Sequence, residues 1–299
     1  MITRRELLIC LTGLAAGCSS RTRPLTVGGI GRRRVVLCEI IAQHLEQRLR
    51  LMIGRNADLG DSLLAREALL SGRVDLYAET TGGALTLVLQ RPPDPRPEVV
   101  LERLRLEYGQ RYQAEWFDPL GFDDGFVMVV RREQAQGLGL RTLSDAARLV
   151  SGWQMAAGQE FLTRPDGMPA LMKAYGLRLS AGPRVMTPEA AYRALRQAEV
   201  GLIAGRAADG ELHSADFRIL TDDRQGFPPA QVAILARSEA LVRQSGLRPA
   251  LAELSGKLDL IRMRELNAQA VAGRPPAALA ADFLKQAGLL GCANQSRAA

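Results

Sequence analysis

Two apolar runs of strand length constrain this chain more than any other feature. They are "FVMVV" at 126–130 and "QVAILA" at 231–236, and a full set of strand and helix signals lies between them. Before the first run, "PLTVGGI", "LMIGRN" and "VDLYA" read as short strands. They alternate with helical patterns such as "RRRVVLCEIIAQHLEQRLR", where Val36, Ile40, Ile41, Leu45 and Leu49 recur at helical spacing. Between the runs, "WQMAA", "VGLIAG" and "FRILTDD" alternate with "TLSDAARLV", "RPDGMPALMKAYGL" and "TPEAAYRALRQAE". After the second run the pattern is helical to about residue 290. Alternation at these lengths predicts α/β units on largely parallel sheets. A length of 299 residues makes roughly two domains of ordinary size the expectation.

The stretch "DLYAETTGGAL" (75–85) is unusual within the first lobe. A strand that should be buried runs into an acid, two threonines and two glycines. "ALRQAEVGLIAGRAADG" in the second block echoes it: a helix, a tight turn and a strand ending in small polar residues. In open α/β sheets, ligands bind beyond the carboxyl ends of the strands, where backbone groups and helix starts are exposed. Glu79 to Gly83 are therefore expected to line one wall of a cleft for a small solute, with Thr80 and Thr81 as polar contacts. An N-cap role for either threonine on "GGALTLVLQ" is compatible with this, and any two βα units share some likeness.

The N-terminus, "MITRRELLICLTGLAAGCSS", has Arg4 and Arg5, an apolar run of ten residues, then Gly17-Cys18. Such a run is too short for a permanent membrane helix and suits an export signal. Ala15-Ala16-Gly17-Cys18 resembles a bacterial lipobox, which implies a signal peptide at 1–17, lipid attachment at Cys18 and a linker at 18–23. Cys38 and Cys292 would then be the remaining thiols of the exported chain. Cys38, in "VVLCEII", reads as a small core residue, and a bridge cannot be deduced from spacing alone.

Catalytic and metal chemistry lack their parts. There are two histidines, His44 on a helix, where a half-buried or surface position is usual, and His213 in a loop. No HExxH, CxxC or G-x-S-x-G occurs, and "GGIGRRR" lacks the ending of a phosphate-binding loop. Adjacent Asp222 and Asp223 read as turn residues. The net charge of +7 comes from arginines scattered through every helix, with 5% aromatics, so no nucleic-acid partner is expected.

The segments "EIIAQHLE", "EALLSGRVDLYAETTGGAL", "LGFDDGFVMVVRRE", "EFLTRPDGMPALMKAYGL", "DDRQGFPP" and "FLKQAGLL" occur in the order found in one family. Together they resemble the substrate-binding proteins of glycine betaine/choline ABC importers, and they cover almost all of 25–290. The resemblance implies the type II periplasmic-binding-protein clamshell. Lobe one would take 24–127 and 232–290, lobe two 131–229, with "FVMVV" and "QVAILA" as hinge strands. It also implies a small solute, an ABC permease as partner, no cofactor, and a place in the periplasm or on the cell surface.

The family cages trimethylammonium heads in aromatic rings. Here Thr80 and Ala230 stand where tyrosines are usual and Arg206 where an aromatic is usual, while Phe126 keeps its ring. This erosion points to a different zwitterion or an anion. Gly29, Ile30 and Arg33 of the early loop, with Arg206 and Asp209 opposite, are the expected polar contacts, and Arg33 and Arg206 would take a carboxylate. Glu160 and Phe161 would form the facing wall, with Arg164 and Asp166 in structural roles. The alternative is a ligand-sensing or structural lipoprotein of the same fold.

Overall fold

The computed structural model describes residues 23–31, 34–149 and 152–289. Cys18, Arg33 and Cys292 lie outside that set, as do the signal peptide and most of the linker.

The first part of the chain runs β1 (Thr26–Gly28), α1 (Val35–Leu49), β2 (Gly54–Asn56), α2 (Ser62–Leu70) and β3 (Leu76–Thr80). It continues through one helical turn, α3 (Thr81–Gly83), and a wide π-type turn at Ala84–Val88 to α4 (Pro97–Tyr112) and β4 (Ala114–Asp123). Next come β5 (Phe126–Arg131), α5 (Arg132–Leu138), α6 (Leu143–Leu149), β6 (Met155–Ala157), α7 (Gln159–Thr163) and α8 (Met168–Tyr175). The second block closes with β7 (Arg184–Val185), α9 (Pro188–Arg196), β8 (Leu202–Arg206) and β9 (Phe217–Ile219). The chain ends in β10 (Gln231–Arg237), α10 (Ser238–Arg243), α11 (Leu247–Ala252), α12 (Leu260–Val271) and α13 (Pro276–Gln286).

Two five-stranded sheets result, ordered β2-β1-β3-β10-β4 and β7-β6-β8-β5-β9. In each, three strands are parallel and the fourth is antiparallel to both neighbours. Those fourth strands are the two apolar runs, β10 and β5. The echo between the halves is thus a shared topology. The chain passes between sheets at Asp124–Gly125 and within 220–230, immediately before the two runs and not inside them. Phe126 and Val127, which the resemblance places with lobe one, pair with Arg206 and Gly205 in the second sheet.

Local chemistry sets the element ends. Asp61 caps α2 by accepting from the backbone N–H of Leu63 and Leu64, and Gly72, at φ 74°, turns the chain after it. Thr187 and Asp259 cap α9 and α12 in the same way. Each sheet is covered on both faces, as buried parallel strands require. Ile40, Ile41, Leu45, Ile234, Leu251 and Phe283 form one core of the first lobe, and Leu69, Tyr77, Leu104, Tyr108 and Trp116 the other. Met128, Val130, Leu171 and Leu202, and separately Val129, Tyr192, Leu195 and Ile203, fill the second lobe.

Cys38 is buried in the first core, as its apolar neighbours suggest. Burial pushes its thiol up to about 12. His44 differs from the expected half-buried position. It is fully buried, with Nε2 2.8 Å from the carbonyl of Ala250 on α11. No helix among the described residues is long and apolar enough to cross a membrane.

Candidate functional site

The carboxyl end of β3 forms one wall. All five residues of β3 are buried, and the α3 turn stays buried after them. Glu79 Oε1 accepts from the Thr80 N–H at 2.7 Å and from Thr80 Oγ1 at 3.2 Å. Thr80 occupies the N-cap position of α3 without a capping side-chain bond, so the ordinary capping role is not filled. Glu79 Oε2 and Thr81 Oγ1 are buried without a hydrogen-bond partner. Gly82 is required by close approach: a Cβ there would sit 2.6 Å from the carbonyl oxygen of Pro229, in the second crossing.

Arg34, at the start of α1, reaches the same place. Its Nη2 donates to Asp124 Oδ2 at 2.9 Å and its Nη1 lies 3.9 Å from Glu79 Oε1, with no hydrogen-bond partner. Burial opposes this charge, but Asp124, Glu79 and Glu160 outweigh it and hold the guanidinium above its usual value. Asp124 ties the first crossing together: its Oδ1 accepts from Ala208 N at 3.0 Å, and its N–H donates to the Ala230 carbonyl at 2.9 Å. Burial raises the pKa of the neighbouring Asp123 carboxyl, which accepts from the Ala230 and Gly125 N–H groups.

The facing wall is the start of α7 with the end of β8. Arg164, only 3% exposed, forks onto Asp166 at 2.8 and 2.6 Å and donates through Nη1 to Glu160 at 2.6 Å. The same Glu160 oxygen accepts from Arg206 Nη2 at 2.6 Å. Burial works against the Glu160 charge, yet Arg206, Arg164 and Arg34 hold its carboxyl below the usual range. Arg206 lies over the Phe126 ring, 3.8 Å from its centre, and its Nη1 donates to the Asp124 carbonyl at 3.3 Å. Asp209 accepts from Tyr192 Oη at 2.9 Å and from the Arg206 N–H at 2.8 Å. Phe126, Phe161 and Phe227 form a ring cluster with centroids 5.0 to 6.5 Å apart.

The two walls meet. A Cβ on Gly83 would lie 2.6 Å from Thr80 Oγ1 and 3.1 Å from Arg164 Nη2, so an arginine of the second lobe touches the glycine turn of the first. Thr80, Thr81, Phe126, Glu160, Phe161, Arg206 and Asp209 therefore gather around the crossing at Asp124. Gly29 and Ile30 sit at the carboxyl end of β1, where Gly29 bonds to Asn56 and Leu59 and Ile30 leans on the Tyr77 core. Arg34, Asp124 and Phe227 were not anticipated. The signals were the acid pair in "DDGFVM" and the acid-rich turn before "GFPP": Asp222 accepts from the N–H of Gly226 and Phe227 at 2.8 and 2.9 Å and so sets the Phe227 turn. Among the described residues no cluster of histidine, cysteine and acidic groups could hold a metal ion.

Comparison with known proteins bears on the fold that holds these residues. The family model for the substrate-binding domain of ABC-type glycine betaine transport systems matches residues 31–286. A glycine-betaine-binding protein of Pseudomonas aeruginosa is 30% identical, over 96% of this chain and 95% of its own. The carnitine transport binding protein OpuCC of Listeria monocytogenes is 26% identical, over 84% of this chain and 82% of its own. A solved glycine betaine/carnitine/choline ABC transporter structure superposes with a TM-score of 0.79 at 24% identity, covering 89% of this chain and all of that one, which supports the fold.

Proposed function

The chain belongs to the family of substrate-binding domains of ABC-type glycine betaine transport systems, and from that premise we propose an exported lipoprotein, anchored through Cys18, that delivers a small solute to an ABC permease. The solute lies between the β3 and β8 ends, and it is a zwitterion or anion carrying a carboxylate. One observation carries this choice. The Arg206 guanidinium, 3.8 Å over Phe126, takes the ring face that would attract a trimethylammonium head. A quaternary ammonium would have to displace that charge, and each ring contact it forgoes is worth on the order of 2 kcal/mol when desolvated. Thr80 and Ala230 supply no replacement rings.

Arg34 joins Arg33 as a candidate for the carboxylate, because its Nη1 is a buried donor with no hydrogen-bond partner. Thr80, Thr81, Phe126, Glu160 and Phe161 complete the contacts, with Asp209 fixing the Arg206 backbone. The reading assigns the protein no catalytic chemistry, no cofactor and no nucleic-acid partner. Titration calorimetry with glycine betaine, choline, carnitine and a set of amino acids and carboxylates tests it. A carboxylate-bearing solute without a quaternary ammonium that binds at least tenfold tighter than choline and glycine betaine, and loses that advantage in Arg34→Gln, is the expected result. Choline binding as tightly as any carboxylate would overturn it.

A further inference from the structure

The end of the first lobe opposite the site carries a different chemistry. There lie the starts of β1, β2, β3 and β4 and the end of β10, joined by the Arg237 N–H to the Asp75 carbonyl at 2.9 Å. The described chain begins at this end, with Arg23. Five arginines cluster around it. Arg23 and Arg243 share the buried Asp75 at 3.3 and 3.0 Å, and Arg237 and Arg243 share Glu239. Arg50 and Arg73 make no ion pair with a described residue. Two carboxylates against five arginines leave a surplus of three positive charges. Arg48, Arg55 and Arg248 add nothing to it, since Glu253, Glu46 and Glu115 match them, and Glu39, the second carboxylate on Arg55, lowers the surplus to two.

Large apolar side chains stand exposed among these charges. Met52 is 88% and Val242 84% exposed, and Leu51 and Leu70 at the same end are also exposed. Arginines interspersed with outward apolar groups suit the headgroup boundary of an anionic bilayer. The outward apolar groups at this end include no Tyr, Trp or Phe, the rings most enriched where one protein buries its surface on another.

We infer that this end of the first lobe lies on an anionic membrane surface. The inference takes its tether from the lipoprotein reading above. From Cys18 to Arg23 an extended chain spans about 17 Å at most, which keeps this end within reach of the bilayer. Each arginine near an anionic surface raises partitioning about fivefold, and the effect fades within a Debye length. Acyl chains hold the protein at the membrane, and the patch orients it. The first lobe rests with its strand starts on the lipid, and the second lobe, beyond the Asp124–Gly125 crossing, stays off the surface.

The test uses residues 19–299, which hold all four hydrophobic cores and lack both the lipid and the apolar export segment. Co-sedimentation is measured with phosphatidylcholine vesicles and with vesicles containing one third phosphatidylglycerol, at low and at physiological salt. The expected result is at least tenfold stronger partitioning onto the anionic vesicles, weakened by salt. Arg50→Glu with Arg73→Glu should reduce it at least tenfold, and Met52→Ser with Val242→Ser several-fold, with the melting temperature and solute affinity unchanged. Equal partitioning onto both vesicles, or indifference to the arginine reversals, overturns the inference. So does retention only by vesicles carrying membrane proteins, whatever their lipid charge, which would assign the surface to a protein partner. Labelled palmitate incorporation at Cys18 in cells is a separate readout, and its failure would remove the anchor while leaving the vesicle result standing.

Discussion

The ends of β3 and β8 hold equivalent places in two sheets of the same topology, yet they treat their polar groups in opposite ways. At β3 the chain leaves Glu79 Oε2 and Thr81 Oγ1, and the facing Arg34 Nη1, buried without partners. At β8 the groups are taken: Arg206 by Glu160, Phe126 and the Asp124 carbonyl, and Asp209 by Tyr192 and the Arg206 backbone. A buried group without a partner costs stability of about 1–3 kcal/mol, so such groups persist where another requirement holds them. On the proposed function, the contrast would give carboxylate recognition mainly to the first lobe and structural closure mainly to the second.

Breaking the joint between the two ends should have the largest effect. Asp124→Ala leaves the Arg34 charge and the Ala208 N–H without their acceptor, and about 3 kcal/mol of stability should be lost in denaturant unfolding. Tyr192→Phe, on the closed side, should cost about 1.5 kcal/mol and leave solute affinity nearly unchanged, since it removes a bond to Asp209. Thr81→Val, on the open side, should reverse that pattern. Stability should stay level or rise by up to about 1 kcal/mol while solute affinity falls, as unfolding and calorimetry together would show. If Thr81→Val destabilises as Tyr192→Phe does, the two ends are alike and the contrast fails.

The smallest effect concerns acid. Glu160 has its carboxyl held below the usual range in the folded protein, so the stability it contributes is complete above the unfolded value, about 4.3, and is lost as pH falls through the lowered one. Glu160 is half exposed, so solvent screening limits the change to less than about 1 kcal/mol. Glu160→Gln should lower the neutral plateau of a stability–pH curve by less than about 1 kcal/mol and flatten its acid limb, so that variant and wild type converge at low pH.

Much of the architecture was legible because apolar periodicity and turn residues report local structure directly. The two strand runs, the glycine turn after β3 and the echo in the second block all lie where the pattern puts them. The crossings were displaced by a few residues, because Phe126 and Val127 are apolar enough for either sheet and only pairing decides between them. Site partners were less legible. Arg33 and Arg34 are adjacent in "GRRR", and nothing local marks Arg34 as a residue that reaches Asp124. Arg206 was expected to offer its charge to a solute, but Glu160, 46 positions away, already holds it. Such pairings join residues far apart in the chain, within one lobe for Arg206 and Glu160 and at the crossing for Arg34 and Asp124, and local pattern does not encode them. His44 is a similar case, since its helical neighbours give no sign of the Ala250 carbonyl that accepts it into the core.

The central claim is that an arginine of the chain itself stands where a quaternary ammonium would bind. Calorimetric titration of glycine betaine into the wild-type protein and into Arg206→Gln tests it most directly. Weak binding by the wild type, strengthened at least tenfold in the variant as the Phe126 face is freed, is the expected result. Tight binding by the wild type that is unchanged or weakened in Arg206→Gln would contradict it.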